Sequence, residues 1–359
     1  MNAAQEAAPG IMKIAQVSPL YECVPPTGYG GTERVVSYLT EELVSLGHEV
    51  TLFASGDSIT RATLVPVVEK SIRDEAGKPA GLAYHMIEMD LVAQRAADFD
   101  VIHFHTDYLH FPMTRNLGRP HITTLHGRLD LPELIPLYRH FDQQPLISIS
   151  DSQRTPLPWA NWCATVQHGL PSTLYPFCAK PDDYFVYIGR ISPEKRVDRA
   201  IEIACACATR LTIAAKIDHL DEPYFNEAIK PLLAHPLIDY IGEVNESQKR
   251  TLLSQARALL FPIDWPEPFG LVMIEAFACG TPVIAYRHGS VPEVMQDGVT
   301  GYIVDSQEQA ILAARKIDEL DRRRCHAVFA QRFTATRMAQ DYCRIYWRMA
   351  GRLNGADDG

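Results

Sequence analysis

The stretch that decides the fold is ALLFPIDWPEPFGLVMIEAFACGTPVIAY, residues 258–286. A short apolar run at 258–261 leads into a proline-rich loop, an apolar stretch of helix length from about residue 269, and a second apolar run at 283–285. Short buried strands that alternate with helices are typical of parallel sheets covered on both faces. This segment therefore predicts a strand–helix–strand unit of an α/β fold.

The same alternation extends in both directions along the chain. Residues 11–17 read as a strand, and 32–46 follow with apolar residues at helical spacing, with Thr32 as a candidate cap and Gly47 as the terminator. Further predicted elements are strands at 50–54, 101–104, 122–125, 146–150, 164–167, 184–188, 211–215 and 302–304, and helices at 196–208 and 336–353. The pattern starts over after the proline-punctuated segment 168–181, which predicts two α/β domains, 11–170 and 171–335.

Composition and charge exclude several classes of protein. The 359 residues are 47% hydrophobic and 22% charged, which is typical of a folded protein and excludes intrinsic disorder as the main state. A formal charge of −10 argues against nucleic acid as a partner. No apolar run reaches the roughly 18 residues that span a bilayer, and the eight cysteines contain no CxxC pair. We therefore expect a cytoplasmic protein with reduced thiols and no integral membrane association.

A glycine-rich loop, PPTGYGGT at residues 25–32, lies between a predicted strand and a predicted helix. Gly30 and Gly31 let the backbone approach a ligand closely, and the free N–H groups at a helix start favour an anion. The sequence is neither a dinucleotide fingerprint nor a Walker A motif. The alternative is a tight turn that only leads into the helix.

A second candidate segment is YIGRISPEKR, residues 187–196, where a buried strand ends in Gly-Arg. Ligands of open α/β sheets bind beyond the carboxyl ends of the strands, and Arg190 with Lys195 could neutralise a diphosphate there. The alternative is a solvated basic turn paired with Glu194 or Asp198.

Two glutamates in the opening stretch are the third candidate. Glu267 precedes the predicted helix and Glu275 lies within it, too far apart to share one proton transfer. We expect them to accept hydrogen bonds from two hydroxyl-bearing parts of one ligand, while backbone N–H groups near Gly270 and Leu271 face a phosphate. The alternative for Glu267 is a carboxylate that merely stabilises the helix dipole.

Taken together, these motifs resemble the retaining nucleotide-sugar glycosyltransferases of family 4, over residues 12 to about 353. The resemblance implies the GT-B fold, in which two Rossmann-like domains face each other and the last helix, here 336–353, crosses back to the first domain. The motifs that carry it are Gly30-Gly31, TLHG at 124–127, Gly189-Arg190 with Lys195, Glu267 and Glu275 with seven residues between them, CGTPV at 279–283 and GSVPEV at 289–294.

The resemblance also implies a role for each matching residue. Arg190 and Lys195 would hold the donor diphosphate, Glu275 the ribose, Glu267 the hydroxyls of the transferred sugar, and His126 the sugar near its reacting centre. The other implied donor contacts are Gly30, Gly31, Gly189, Lys216, Glu243, Val244, Phe269, Gly270 and Leu271, with the backbone at 242–244 meeting the base. The implied acceptor contacts are Thr32, His105 and Asp107.

The sequence departs from the family pattern in three places, one of which is Asp264, where the family often has a small hydroxyl residue. His168 stands where the family commonly has Asn, and Ala214-Ala215-Lys216 replaces the usual glycines. Lys216 could contact a phosphate or form an ion pair with Asp218 or Asp221.

The predicted mechanism is a same-face substitution without metal or other cofactor. No second carboxylate is available for double displacement if Glu267 binds hydroxyls, so catalysis would come from stabilising the departing diphosphate, which also helps to deprotonate the acceptor. HFHTD at 103–107 could be a metal cluster, but no further ligand spacing recurs nearby. We expect the nucleotide sugar to be a substrate and the metal site to be absent.

The expected reaction is transfer of a hexosyl group to a soluble small-molecule acceptor. A thinner resemblance, at residues 29–33 and the Ala-Lys segment, to bacterial glucosyltransferases that act on pterins suggests UDP-glucose as the donor. The alternatives are a GT-B-type epimerase or phosphorylase-like enzyme and a non-catalytic nucleotide-sugar-binding protein. The sequence makes no prediction of oligomeric state.

Overall fold

Two parallel β-sheets organise the computed structural model, which describes residues 10–72 and 81–351. The first sheet contains β1 Lys13–Val17, β2 Glu49–Ser55, β3 Thr63–Val68, β4 Val101–Phe104, β5 His121–Thr124, β6 Leu146–Ser148 and β7 Trp162–Thr165. The second contains β8 Tyr184–Arg190, β9 Arg210–Lys216, β10 Ile238–Gly242, β11 Ala258–Phe261, β12 Val283–Tyr286 and β13 Gly301–Val304. The predicted α/β fold with two Rossmann-like domains is confirmed. The chain passes from one sheet to the other between Thr165 and Tyr184, and the domain bounds 11–170 and 171–335 stay predictions.

Helices connect the strands. They are α1 Gly31–Ser45, α2 Gly81–Arg95, α3 Phe111–Thr114, α4 Leu134–His140, α5 Asp151–Arg154, α6 Val197–Ala206, α7 Glu222–Tyr224, α8 Glu246–Gln255, α9 Leu271–Cys279, α10 Val291–Val294, α11 Gln307–Arg315, α12 Arg322–Arg332 and α13 Ala335–Met349. None of the helices in the described part of the chain combines the length and the apolar character needed to cross a bilayer. Each of the eight cysteines is a free thiol.

The start of α1 corrects one prediction. Thr32 does not cap this helix, because the helix begins one residue earlier and Gly30 is its N-cap, with the Gly30 carbonyl accepting from the N–H of Arg34 at 3.1 Å. Gly47 ends the helix as expected, with a φ of 91° that favours glycine. Thr32 instead lies in the first turn.

Strands β3 and β10 and several helices, among them α2, α8, α11 and α12, were not predicted. Strands β3 and β10 lie at the edges of their sheets and are only partly buried, so they lack the continuous apolar runs of the central strands. Helix α8 is polar on most positions, but its start carries a capping box between Asn245 and Gln248 that could have identified it.

The order of strands creates the functional edge of each sheet. The first sheet runs β3-β2-β1-β4-β5-β6-β7 and the second β10-β9-β8-β11-β12-β13. Strand order therefore reverses between β1 and β4 in one sheet and between β8 and β11 in the other. Ligands of doubly wound sheets bind in the crevice outside the carboxyl ends of the strands at such reversals.

The last helix crosses back to the first domain, as the resemblance implies. Tyr346 of α13 is fully buried and accepts a hydrogen bond from Gln16 of β1 at 3.1 Å, and Thr336 donates to Glu42 of α1 at 2.6 Å. Positions 352 and 353 of the predicted helix lie outside the described residues.

The two segments that pass between the domains lie side by side. The N–H of Leu170 donates to Phe333 O at 2.9 Å, and the N–H of Ala335 donates to Leu170 O at 2.8 Å. A Cβ on Gly169 would lie 2.2 Å from Thr334 O, so only glycine permits this approach. The connection between the domains thus consists of two hydrogen-bonded segments, around residues 169–170 and 333–335.

Candidate active site

One cleft of about 650 Å³ lies where the reversal points of both sheets meet. Its walls include Pro19 and Tyr21 after β1, Asp107 after β4, Arg190 at the end of β8 and Trp265 after β11. Every site residue predicted from the sequence lines this cleft: Gly30, Gly31, Thr32, His105, Asp107, His126, Gly189, Arg190, Lys195, Lys216, Glu243, Val244, Glu267, Phe269, Gly270, Leu271 and Glu275. The fold therefore brings together residues that are up to 245 positions apart in the chain, from Gly30 to Glu275.

Two of the predicted cations stand side by side at the ends of neighbouring strands. Arg190 and Lys216 are register partners in β8 and β9, and both point to carboxylates. Arg190 donates to Glu194 at 2.8 Å and to Asp218 at 3.2 Å, while Lys216 pairs with Asp218 at 3.3 Å. Burial lowers the pKa of Arg190, but hydrogen bonds to Asp218 and Glu194 outweigh it and raise the pKa overall. The ion pair proposed as the alternative for Lys216 is present.

The third cation forms a compact group with an acid and an indole. The ammonium of Lys195 pairs with Glu267 and lies 4.7 Å from the ring centroid of Trp265, whose indole N–H donates to the same carboxylate oxygen at 3.1 Å. Sequence reasoning assigned Lys195 and Glu267 to different parts of the ligand and did not single out Trp265. In the structure Lys195, Glu267 and Trp265 contact one another. An ammonium has three N–H donors and Glu267 takes only one of them, so Lys195 keeps donors for a ligand.

Two glycines hold the loop that carries Glu267. Gly270 has a φ of 77° and precedes α9, whose first residues, Leu271 and Val272, line the cleft. Gly289 has a φ of 56°, and a Cβ there would lie 2.3 Å from the backbone nitrogen of Glu267. The N–H of Ser290 donates to Glu267 O at 2.9 Å. The backbone at Glu267 is therefore fixed by close packing against residues 289–290.

Glu275 is the buried carboxylate that the sequence marked as unusual. It is 3% exposed, and its Oε1 accepts a hydrogen bond from Lys249 of α8 at 2.7 Å. Lys249 also lines the cleft and was missed, because the helix that carries it was not predicted. A buried carboxylate is tolerated when a cation pairs with it, which explains how Glu275 can sit among apolar neighbours.

The same cluster joins the two domains. Arg34 of α1 forms an ion pair with Glu246 at 2.6 Å, and Glu246 also pairs with Lys249 at 3.2 Å and accepts from the Tyr175 hydroxyl at 2.6 Å. Burial raises the pKa of Glu246, but the charges of Lys249 and Arg34 outweigh it and hold the pKa below its usual range. Glu246 is therefore a charged carboxylate at neutral pH.

The glycine-rich loop touches the second domain through a side chain. The N–H of Tyr29 donates to Glu243 Oε1 at 3.2 Å, and a Cβ on Gly28 would lie 3.1 Å from the same oxygen. The sequence prediction used the backbone near Glu243 for the base. The structure adds that the Glu243 carboxylate ties the loop across the cleft.

His126 is half-buried and contacts two buried histidines. Its Nε2 lies 2.8 Å from His105 Nδ1, and its ring stacks on that of His168 at a centroid distance of 5.4 Å. Burial lowers the pKa of His126 to about 3. The other nitrogen of His105 lies 2.8 Å from Gln16 Oε1, so both ring nitrogens are engaged. His105 lines the cleft, and its contact with the acceptor stays a prediction.

Asp107 follows β4 in a left-handed backbone conformation with a φ of 50°. The residue is exposed toward the cleft, yet desolvation by the surrounding walls raises its pKa to about 6. A carboxyl group with this pKa exchanges protons near neutral pH. Thr32 is half-buried in the first turn of α1 and lines the same cleft.

Within the described ranges, no group of three or more His, Cys, Asp or Glu side chains is arranged to hold a metal ion.

Comparison with known families covers both domains. Residues 29–166 match the family model described as Glycosyltransferase Family 4, and residues 178–327 match the model described as Glycosyl transferases group 1. Each model therefore corresponds to one of the two sheets.

Individual relatives match along most of their length. The chain is 25% identical to the glycogen synthase of Mycobacterium tuberculosis, over 86% of each chain. It is 24% identical to the N-acetyl-alpha-D-glucosaminyl L-malate synthase of Bacillus anthracis, over 90% of this chain and 95% of that protein. Among solved structures, Anabaena HepE in complex with UDP-glucose has the same fold, with a TM-score of 0.71 at 18% identity over 93% of this chain and 99% of that one.

Proposed function

The chain belongs to the family 4 glycosyltransferases of the GT-B fold, and we propose that it transfers a hexosyl group from a UDP-sugar, such as UDP-glucose, to a small soluble acceptor with retention of configuration. Transfer from a nucleotide sugar follows from the family. One observation carries the finer proposal: Arg190, Lys195, Glu275 and the start of α9 converge on one wall of a single cleft.

Stabilisation of the leaving diphosphate is the proposed source of catalysis. Arg190 and Lys195 place two basic side chains on this wall, and the dipole of α9 adds partial positive charge at Leu271. Negative charge develops on the departing diphosphate as the glycosidic bond breaks. Preorganised cations favour that transition state, because they need no reorganisation during the reaction.

Retention is proposed through same-face substitution. Glu267 pairs with Lys195 and accepts from the Trp265 indole, which suits a group that positions sugar hydroxyls better than a free nucleophile. Because a double displacement needs a carboxylate free to attack, we assign Glu267 to binding. The departing diphosphate would then take the proton of the acceptor hydroxyl on the same face.

The donor nucleotide would lie along the second domain. Glu275, oriented by Lys249, would accept hydrogen bonds from the ribose hydroxyls, and the backbone at Glu243 and Val244 would meet the base. The proposed UDP-glucose preference draws support from HepE, which was crystallised with that sugar nucleotide. Among relatives, the Bacillus anthracis enzyme is named for a small acceptor, L-malate, which is consistent with a small acceptor here.

We propose that no metal or other cofactor takes part. The charges of Arg190 and Lys195 can supply the diphosphate stabilisation that a divalent cation supplies in other transferases. Activity that survives chelation of divalent cations with EDTA would support this part of the proposal, and loss of activity that added Mg²⁺ restores would contradict it. We also propose a cytoplasmic location, since eight free thiols suit a reducing compartment.

The decisive binding experiment is a thermal-shift series with UDP, ADP and GDP. A ligand that binds only the folded state raises the melting temperature, and we expect UDP to give the largest shift. Glu275→Gln should remove most of the UDP shift, whereas Glu227→Gln, an exposed position outside the cleft, should keep it. An unchanged shift in Glu275→Gln would remove Glu275 from the nucleotide site.

The chemical outcome is tested by incubating the protein with UDP-glucose and following the anomeric proton by NMR. Transfer or slow hydrolysis that first releases the α-anomer supports a retaining transferase. A changed sugar stereocentre would indicate an epimerase, and binding without turnover would indicate a nucleotide-sugar-binding protein; either result would overturn the proposal.

A further inference from the structure

A continuous line of buried hydrogen bonds connects the last helix to His126 in the cleft wall. Gln16 Nε2 donates to the Tyr346 hydroxyl at 3.1 Å, Gln16 Oε1 lies 2.8 Å from His105 Nε2, and His105 Nδ1 lies 2.8 Å from His126 Nε2. Gln16, His105 and Tyr346 are all no more than 2% exposed. No part of the proposed mechanism uses these three residues.

The histidines of this line are neutral. Burial lowers the pKa of His105 well below its usual range, with the neighbouring His103 and His126 adding to the effect, and burial lowers the pKa of His126 to about 3. A neutral imidazole has one N–H group and one nitrogen lone pair. The proton on each ring is therefore fixed by what the opposite nitrogen meets.

Gln16 sets the direction of the whole line. Because its amide nitrogen faces Tyr346, its carbonyl oxygen faces His105 and requires an N–H at His105 Nε2. His105 Nδ1 is then a lone pair, which requires an N–H at His126 Nε2. His126 Nδ1 is left as a lone pair, and it has no hydrogen-bond partner among the described residues.

We propose that Gln16, anchored by Tyr346 of the last helix, is a positioning residue that fixes the tautomer of His126. In this tautomer the free lone pair of His126 is on Nδ1, which is buried and has no partner among the described residues, and the ring has no further N–H to donate. Resting on the proposed function, a sugar hydroxyl that reaches Nδ1 would have to donate to this lone pair.

The reversed line of hydrogen bonds would also satisfy every donor and acceptor in it, which makes the proposal testable. If the Gln16 amide were reversed, Tyr346 would donate to its oxygen, each bond in the line would reverse, and His126 would carry its proton on Nδ1. The two arrangements have the same heavy-atom distances and differ in the tautomer of His126. Hydrogen positions are set by such networks and need a measurement that detects protons.

The experiment is a long-range proton–nitrogen NMR correlation on protein with ¹⁵N-labelled histidine, with the signals of His126 identified by their loss in His126→Asn. We expect wild-type His126 to show one tautomer, protonated at Nε2. A ring protonated at Nδ1 would overturn the proposal without any activity measurement, so this result is separate from the fate of the proposed function.

Two tyrosines on the last helix provide a matched pair of variants. Tyr346→Phe removes the anchor of Gln16, and we expect His126 to become a mixture of tautomers. Tyr342→Phe makes the same change one turn away. The Tyr342 hydroxyl bonds to Thr124 at 2.9 Å and reaches Tyr346 only through Thr124 and His103, so it does not contact Gln16 and the single tautomer should persist. An unchanged His126 spectrum in Tyr346→Phe would contradict the proposal.

Substitution of Gln16 itself separates orientation from folding. Gln16→Glu keeps an acceptor for His105 Nε2 and should keep the His126 tautomer, whereas Gln16→Met removes it and should give a mixture. With UDP-glucose as donor, Gln16→Met should lower kcat more than it changes KM, because the donor pocket is intact. Equal spectra for the Glu and Met variants would show that Gln16 does not set the tautomer.

Discussion

Arg34 of the first domain and Glu246 of the second form an ion pair of 2.6 Å, with side chains only 10% and 17% exposed. A second crossing contact, from the Tyr29 N–H to Glu243, lies on the same side of the cleft. Because Glu246 is linked through Lys249 to Glu275, the contact between domains and the proposed ribose site share one charge cluster. Closure of the cleft and binding of the donor should therefore be coupled.

Breaking the Arg34–Glu246 pair should cost both stability and donor affinity. Arg34→Gln removes one of the two cations that pair with the buried carboxylate of Glu246. We therefore expect the free energy of unfolding to fall by roughly 2 to 4 kcal/mol and the KM for the donor to rise. Arg61→Gln is the matched control, since Arg61 pairs with Glu41 at the same 2.6 Å but is 59% exposed. It should change the free energy of unfolding by about 1 kcal/mol or less. Equal losses in urea denaturation of the two variants would contradict the coupling.

Replacement of Gly289 should damage the site as well as the fold. In Gly289→Ala the new Cβ would meet the backbone of Glu267 at 2.3 Å and would have to adopt a φ of 56°, so Glu267 should move and kcat should fall. Gly298→Ala has similar backbone strain, with a φ of 73°, but nothing within 4 Å. We expect it to lose about 1 to 2 kcal/mol of stability with kcat unchanged. If both variants keep full kcat, packing by residue 289 does not position Glu267.

The two lysines of the cleft should differ in importance. Lys195 has N–H donors to spare beside Glu267, whereas Lys216 is paired with Asp218 and its side chain is more exposed. We expect Lys195→Met to lower kcat by about 100-fold, as loss of a transition-state contact does elsewhere, and Lys216→Met to have a clearly smaller effect. Steady-state kinetics with UDP-glucose give the comparison. A larger loss in Lys216→Met would move the diphosphate toward strand β9.

The sequence predicted most of the central strands, because fully buried parallel strands are continuous apolar runs. Strands β4 and β11 have the predicted bounds, and the helix from Leu271 begins two residues after the expected start. Edge strand β10 could not be predicted in this way, because alternate residues face solvent and its run contains Asp239 and Gly242. Local pattern therefore identifies the centre of each sheet better than its edges.

Site residues could be predicted from the sequence only where they belong to one continuous motif. Gly270, Glu267 and Glu275 lie within one motif, and all line the cleft. Partners contributed by other segments were missed: no spacing rule connects Lys249 with Glu275, or Arg34 with Glu246 more than 200 residues away. Such pairs depend on how the two domains pack, which the sequence pattern does not encode locally.

Mild acid should destabilise the protein through its buried histidines. Burial lowers the pKa of His103, His105, His126 and His168, while an unfolded chain has histidines near about 6.5. Below that pH the unfolded state binds protons that the native state does not, so the free energy of unfolding rises with pH and is lost as pH falls from about 7 to 5.5. At a pH one unit below 6.5, each such histidine lowers the free energy of unfolding by about 1.4 kcal/mol. Asp107, with a pKa raised to about 6, opposes this loss of stability, because its carboxylate takes up at most one proton in the native state as pH falls.

Urea denaturation at several pH values between 5.5 and 8 measures this slope. His105→Gln keeps a donor and an acceptor in the buried line but cannot titrate, so its slope should be smaller by about one proton. His219→Gln removes a histidine whose side chain is 92% exposed and lies outside the buried cluster, so it should leave the slope unchanged. A free energy of unfolding that is flat from pH 7 to 5.5 would mean that the buried histidines take up protons in the native state, which requires the cluster to open or hydrate without unfolding.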